Sequence, residues 1–241
     1  MASRVEPCRG GESENILEVR GLKVWFPIKQ GMFSRRVGTI KAVDGLSFEL
    51  RRGETLGIVG ESGSGKTTIA RVVTGLQKPT EGSILLNGKV AMVFQDSLGS
   101  LNPRMTVRDA IGEVVESSNR RIVELLEAVG LDEGALDKYP HELSGGERQR
   151  VCIARALAAK PDLLICDEAV SALDLSIRAR MLGLLGELKR QSGLAMMFIT
   201  HDLGVAQHLA DRIVVLRRGK IIEEGPCGRV LKAPREEFTD I

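Results

Sequence analysis

The sequence predicts an α/β fold built on a mostly parallel core sheet, and three observations carry that prediction. Three short apolar runs, Thr55–Val59, Leu163–Asp167 and Ala195–Thr200, are continuous enough to be strands buried on both faces. Between the first of these and a stretch with helical apolar spacing, Ile69–Val73, lies Gly60-Glu61-Ser62-Gly63-Ser64-Gly65-Lys66-Thr67-Thr68, which fits G-x-x-x-x-G-K-[ST]. Asp167 and Glu168 close the second run at its C-terminal end, where open α/β sheets gather their ligands. Strand, glycine loop and helix start together make a phosphate cradle. A glycine turn that binds nothing is the bland alternative, and the flanking strand and helix argue against it.

With 241 residues, 43% hydrophobic and 27% charged, the chain is expected to form one large globular domain or a domain with a sizeable insertion. A formal net charge of +2 gives no field that would make nucleic acid the main partner. The four cysteines, Cys8, Cys152, Cys166 and Cys227, contain no C-x-x-C pair, so reduced cytosolic thiols are expected rather than disulfides or zinc. No apolar run reaches the roughly 18 residues of a membrane span. Residues 1–15 are polar, lack a signal-peptide core and read as a disordered tail. The remaining bounds are a nucleotide-binding domain over 16–233 and a short tail over 234–241.

In order along the chain, Ile16–Val24 alternates as a first strand and ends at Trp25-Phe26-Pro27. Trp25 reads equally well as a packing residue; Phe26 reads as a platform for an adenine ring. Lys29 to Lys41 is basic and glycine-containing, hence a solvated loop, and Ala42–Leu50 returns to strand pattern before the turn at Arg51–Glu54. Asn87-Gly88 is a two-residue hairpin signal, so Ser83 to Phe94 reads as an antiparallel hairpin. From Gln95 the composition becomes helical. Thr106 caps a helix over Val107–Val115, and Asn119 caps another with Ile122, Val123, Leu125, Leu126 and Val129 as its stripe, ending at Gly130. With a short helical piece over Asp132–Tyr139, residues 97–142 form a helical insertion. Ser144, with Glu147 three residues on, is a capping box opening a long helix. Leu175 to Arg190 is a further helix, and Arg212–Leu216 and Lys220–Glu223 are strands around Arg218-Gly219.

These positions support nucleotide chemistry. Gly60, Gly63 and Gly65 allow the backbone to aim N–H groups at phosphates, Lys66 adds a charge for the β- and γ-phosphates, and Thr67 is placed to ligate Mg²⁺. Asp167 is spaced to hold the same ion, and Glu168 to accept a proton from an attacking water. Read alone, that acid pair would be a helix-capping turn. His201 ends the third run and could position the water, though a lone histidine is usually structural. Gln95 offers an amide to Mg²⁺ or water; alone it would be a loop glutamine. Ser144-Gly145-Gly146 is a second helix tip with exposed N–H groups, suited to the nucleotide of a facing chain.

In order, Gly60–Thr68, Gln95, Leu143–Glu147, Ile165–Glu168, Ser171–Asp174 and His201 resemble the Walker A, Q-loop, signature, Walker B, D-loop and H-loop motifs of the ABC-transporter ATPases. The resemblance covers roughly residues 16–233. Val93–Asp96, Ser100–Val107, Tyr139–Glu142 and Cys166–Asp174 look like the oligopeptide, dipeptide and nickel importer branch, and within it most like the second, F-type, ATPase subunit. The resemblance implies an ABC-type fold with a RecA-like core sheet, an antiparallel β subdomain and the helical insertion. It also implies a head-to-tail dimer, of this chain with itself or with a sister subunit, beneath integral-membrane permease subunits at the cytoplasmic face of the cell membrane and fed by a solute-binding protein. Phe26 would stack on adenine; Gly60, Glu61, Ser62, Gly63, Ser64, Gly65, Lys66, Thr67 and Thr68 would hold the phosphates of ATP. Thr67, Gln95 and Asp167 would hold Mg²⁺, Glu168 would be the general base, His201 would hold the γ-phosphate, and Ser144, Gly145 and Gly146 would serve the partner's ATP.

Three stretches depart from that branch: the segment between Gly88 and Val93 is nearly absent, the insertion is short around Glu116–Arg120, and the branch usually continues beyond Ile241 into a C-terminal extension. The function implied is ATP hydrolysis powering import of peptides or a related solute such as nickel. The alternatives are a soluble ABC-type ATPase acting on nucleic acid or a cofactor-assembly complex, and a small-molecule kinase. The first alternative calls for tandem halves or coiled-coil insertions; the second has no use for residues 144–147.

Overall fold

A computed structural model describes residues 5–6, 14–30, 35–115, 119–170 and 173–232. Most of the tail expected over 1–15, all of that over 234–241, the middle of the loop expected over 29–41, residues 116–118 of the shortened insertion and Ser171-Ala172 lie outside the described residues.

Along the chain, β1 (Val5–Glu6), β2 (Asn15–Gln30), β3 (Arg35–Arg51) and β4 (Thr55–Gly60) precede α1 (Lys66–Val73), and β5 (Glu81–Leu86) and β6 (Val90–Val93) follow it. Next come α2 (Ser97–Ser100), α3 (Val107–Gly112), α4 (Asn119–Ala128), 3-10 turns at Glu133–Ala135 and Pro140–Glu142, and α5 (Gly145–Ala158). Strands and helices then alternate through β7 (Leu163–Asp167), α6 (Leu175–Ser192), β8 (Ala195–Thr200), α7 (Leu203–Leu209), β9 (Arg212–Arg217), β10 (Lys220–Pro226) and α8 (Cys227–Lys232). The chain divides into two compact units, residues 1–88 with 197–241, and residues 89–196.

In the first unit, β1, β5, β2 and β3 lie side by side in that order, with β2 antiparallel to both β3 and β5. Next to this sheet in sequence, β4 pairs parallel with β9, which pairs antiparallel with β10. All six residues of β4 are buried, as its unbroken apolar run requires of a strand covered on both faces. Val59, Ala206, Ile213, Val215, Cys227 and Val230 form a core beside it. Such a rigid, apolar strand gives the loop at its C-terminal end a fixed origin.

In the second unit, β6 pairs parallel with β7, itself buried throughout. Thr106 caps α3 through a reciprocal box with Asp109, the cap that its sequence announces. Ile122, Leu125 and Leu126 are the buried stripe of α4, and Val151, Ile153, Ala154, Ala156 and Ala158 that of α5. α6 closes at Gly193, whose φ of 66° suits the left-handed position past a helix end.

The structure corrects four expectations. Ser83 to Phe94 is no hairpin: β5 pairs with β2, whereas β6 pairs with β7. Asn87 is held to β2 by its own N–H on the Ile16 carbonyl and its side-chain amide on the Asn15 carbonyl, so long-range pairing overrides the local turn signal. The first strand does not stop at Trp25-Phe26-Pro27 but continues to Gln30, with its partner strand beginning at Arg35, so the flanks of the expected loop are an antiparallel ribbon. The helix after Thr106 ends at Gly112, short of Val115. In place of a helix over Asp132–Tyr139 stands one 3-10 turn, Glu133–Ala135, and a second follows at Pro140–Glu142.

Candidate functional site

Residues 60–68 run from the end of β4 into α1. Gly65 is the N-cap of α1 with φ 109°, and the helix has no side-chain cap, so its first N–H groups are left for another acceptor. A Cβ at Gly65 would overlap the Ala42 carbonyl, and one at Gly60 would overlap the Leu216 carbonyl. These two positions therefore require glycine. Lys66 is buried, and its ammonium donates to the carbonyls of Gly60 at 2.7 Å and Glu61 at 2.8 Å. A cation held by weakly basic carbonyls exchanges them readily for phosphate oxygens. Ser64 Oγ is buried with no hydrogen-bond partner among the described residues. A donor-rich, glycine-lined loop with an orphan hydroxyl and an enclosed ammonium fits a polyphosphate.

At the end of β7, Asp167 is buried and Glu168 half-buried. Glu168 adopts φ 49°, a left-handed turn rare for a side-chain-bearing residue, which swings the chain out of the strand. Its Oε2 accepts from the Gln95 side-chain amide at 3.2 Å, so the structure brings together two residues 73 positions apart that the sequence marked separately. Cys166, between buried Ile165 and Asp167, has its thiol pushed up to about 12 by burial, which leaves it protonated and inert as a nucleophile. His201 follows β8 and is exposed; it belongs to the first unit, as residues 60–68 do.

Ser144 caps α5: its Oγ accepts from the Glu147 N–H at 3.2 Å, and Glu147 Oε2 accepts from the Ser144 N–H at 2.8 Å. That hydrogen bond holds the Glu147 carboxyl below its ordinary value. Arg148 donates to the carbonyls of Pro140 at 3.1 Å and Leu143 at 2.7 Å, which fixes the approach to the tip. Ser144 and Gly145 are exposed, and a Cβ on Gly145 would meet nothing nearer than Arg148 at 3.9 Å. The tip is rigid and open.

Trp25 and Phe26 are adjacent on β2 and face opposite sides of it, opposite Lys41 and Ile40. Trp25 packs: its indole N–H donates to Asp44 at 3.2 Å, and the ammonium groups of Lys23 and Lys41 stand 5.3 and 4.7 Å from its ring. Phe26 keeps 37% of its surface exposed, enough for a flat ring to lie on it.

The family model described as ABC transporter matches residues 43–171. A protein of Bacillus subtilis (strain 168), oligopeptide transport ATP-binding protein AppF, is 48% identical over 87% of this chain and 71% of its own length. This chain belongs to the ABC transporter ATP-binding family. Within that family, oligopeptide transport ATP-binding protein OppF of Lactococcus lactis subsp. lactis (strain IL1403) is 41% identical over 93% of the cassette and 78% of that relative. Glutathione import ATP-binding protein GsiA of Salmonella choleraesuis (strain SC-B67) is 41% identical over 98% of the cassette, which spans 42% of GsiA. Among solved structures, the dimeric post-hydrolysis state of the ATP-binding cassette MJ0796 bound to ADP and Pi matches with TM-score 0.77 at 28% identity, over 88% of this chain and 98% of that one. The cassette is therefore a P-loop NTPase of ABC type, an ATP-binding ATPase. Among the described residues no helix is long and apolar enough to cross a membrane.

The sequence placed Arg218-Gly219 between two strands and Ala42 in a strand but did not show that Gly219 donates to the Ser64 carbonyl or that the Ala42 carbonyl crowds Gly65. Backbone contacts leave no side-chain pattern to read; only the glycine at 219 hinted at a close approach.

Proposed function

We propose that this cassette hydrolyses ATP to power import of peptides or a related small solute, such as nickel, through partner permease subunits at the cytoplasmic face of the membrane. The observation that carries the reading is the 48% identity to an oligopeptide transport ATP-binding protein across most of the chain. On this reading Phe26 stacks on adenine, Lys66 and the N–H groups of residues 60–68 hold the triphosphate, and His201 holds the γ-phosphate. Thr67, Gln95 and Asp167 offer the hydroxyl, amide and carboxylate oxygens that Mg²⁺ takes. Bound there, Mg²⁺ neutralises charge developing on the phosphates. Glu168 takes the proton of the attacking water, and its contact with Gln95 at 3.2 Å links that base to the loop leading into the helical stretch 97–142.

Ser144, Gly145 and Gly146 serve the ATP of a second ABC ATPase subunit, a copy of this chain or a sister, in a head-to-tail dimer. A cavity of about 290 Å³ lined by Met92, Phe94, Val114, Cys152 and Arg155, within the second unit, supports the docking of an apolar permease segment with a polar flank. The test is co-purification in detergent followed by reconstitution. Two multi-span membrane proteins should copurify with the chain, and vesicles carrying the assembly should take up labelled oligopeptide only with ATP. A chain that copurifies with no membrane protein and hydrolyses ATP at the same rate with or without permeases would sink the reading.

A further inference from the structure

Two segments distant in sequence hold the phosphate loop from behind. The Gly219 N–H, in the turn between β9 and β10, donates to the Ser64 carbonyl at 3.0 Å, and the Asp44 N–H of β3 donates to the Gly219 carbonyl at 2.9 Å. The Ala42 carbonyl is wedged against both glycines of this junction: a Cβ on Gly65 would overlap it, and one on Gly219 would come within 2.8 Å. The Asp44 carboxylate accepts in turn from the indole of Trp25, the chain's single tryptophan and the neighbour of Phe26.

A trans peptide points its N–H opposite to its C=O. Tying the Ser64 carbonyl to Gly219 therefore turns the Gly65 N–H away from the turn and toward the cradle, where phosphate oxygens need donors. The same junction joins the loop to the strand that carries the adenine platform, so the base end and the phosphate end of the site share one frame.

We propose that Gly219, backed by Ala42 and Asp44, is a brace that positions the phosphate loop and couples it to the Trp25–Phe26 strand. Gly219 and Asp44 are positioning residues for the triphosphate. The proposal rests on reading residues 60–68 as the nucleotide site.

The test compares Gly219→Ala with Gly75→Ala. Both glycines have φ 76°, in the left-handed region that disfavours a side chain, but an added Cβ at Gly75 meets nothing within 4 Å. In calorimetric titrations with Mg-ATP and with inorganic tripolyphosphate, Gly219→Ala should bind both about tenfold more weakly than Gly75→Ala, the loss expected when charge-assisted N–H contacts are misaimed. Equal affinities overturn the brace. A second readout needs no change at Gly219. Tripolyphosphate carries no base to touch the aromatic residues, yet it should shift Trp25 emission in the wild type; in Asp44→Ala, at saturating ligand, the shift should be lost. A wild-type emission that ignores tripolyphosphate, or a shift that survives in Asp44→Ala, overturns the coupling. Wild-type binding that Lys66→Ala abolishes keeps the nucleotide site whatever happens to the brace, whereas a wild type that binds neither ligand removes both.

Discussion

Glu168 owes its position to a backbone that its side chain disfavours. At φ 49° the chain leaves β7 abruptly, and the carboxylate reaches Gln95 instead of continuing along the strand beside buried Asp167. Such strain persists where the surroundings hold it, here the fully buried strand on one side and buried Ala169 and Val170 on the other. The two acids thus have different work: the buried one is suited to a cation, the half-buried one to a proton. Replacing Glu168 by Gln keeps shape and an acceptor for the Gln95 amide while removing basicity. ATP affinity should stay within about twofold, and steady-state phosphate release should drop by about 10²–10⁴-fold, the usual worth of a general base. Equilibrium nucleotide titration beside a phosphate-release assay checks both halves; turnover near wild type would strip Glu168 of the role. Nothing in the sequence marks the left-handed turn, because it comes from how the strand end is packed. The pairing of Asp167 with Glu168 after an apolar run was legible.

At the scale of elements, legibility follows how locally each element is determined. β4, β7 and β8 read directly because strands covered on both faces must be apolar throughout, and all three are buried throughout. The caps at Thr106 and Ser144 read directly because a capping box is complete within four residues. The segment around Asn87-Gly88 misled because its local turn preference competes with pairing of β5 to β2, a strand distant in sequence whose Leu17 pairs with Leu86. The ribbon of β2 and β3 beyond Trp25 misled because its apolar residues Phe26, Ile28, Val37 and Ile40 stay exposed and so do not mark a strand with one buried face.

The cap on α5 also makes a pH prediction. Glu147 is held below its ordinary value of 4.5 by its hydrogen bond from Ser144, so its contribution to stability is fully present above pH 4.5 and is lost as pH falls through the lower folded value. Glu147→Gln removes the charge near the helix N-terminus. The melting temperature of the wild type should exceed that of the variant by a constant margin between pH 6 and 8, and the margin should close as pH drops below 4.5. A margin independent of pH would mean that the carboxylate contributes nothing as a charge.

For the whole molecule, the question is whether the loop at residues 60–68 and the tip at Ser144–Gly146 act within one chain or between two. α5 is capped by its own Ser144, yet Ser144 and Gly145 stay exposed, and a cassette 28% identical to this one has a dimeric structure. A self-complementary pair about a two-fold axis would use each loop once and each tip once. Two defective chains separate the possibilities: Lys66→Ala has a dead loop and an intact tip, and Ser144→Arg an intact loop and a blocked tip. Each alone should show almost no ATP hydrolysis. Mixed in equal amounts they form one hybrid dimer in two, and each hybrid holds one intact loop facing one intact tip, so about a quarter of wild-type turnover should return if the two sites act independently. Loops and tips that serve their own chain would give no recovery at any mixing ratio, and Ser144→Arg alone working at full rate would show that the tip has no part in the reaction.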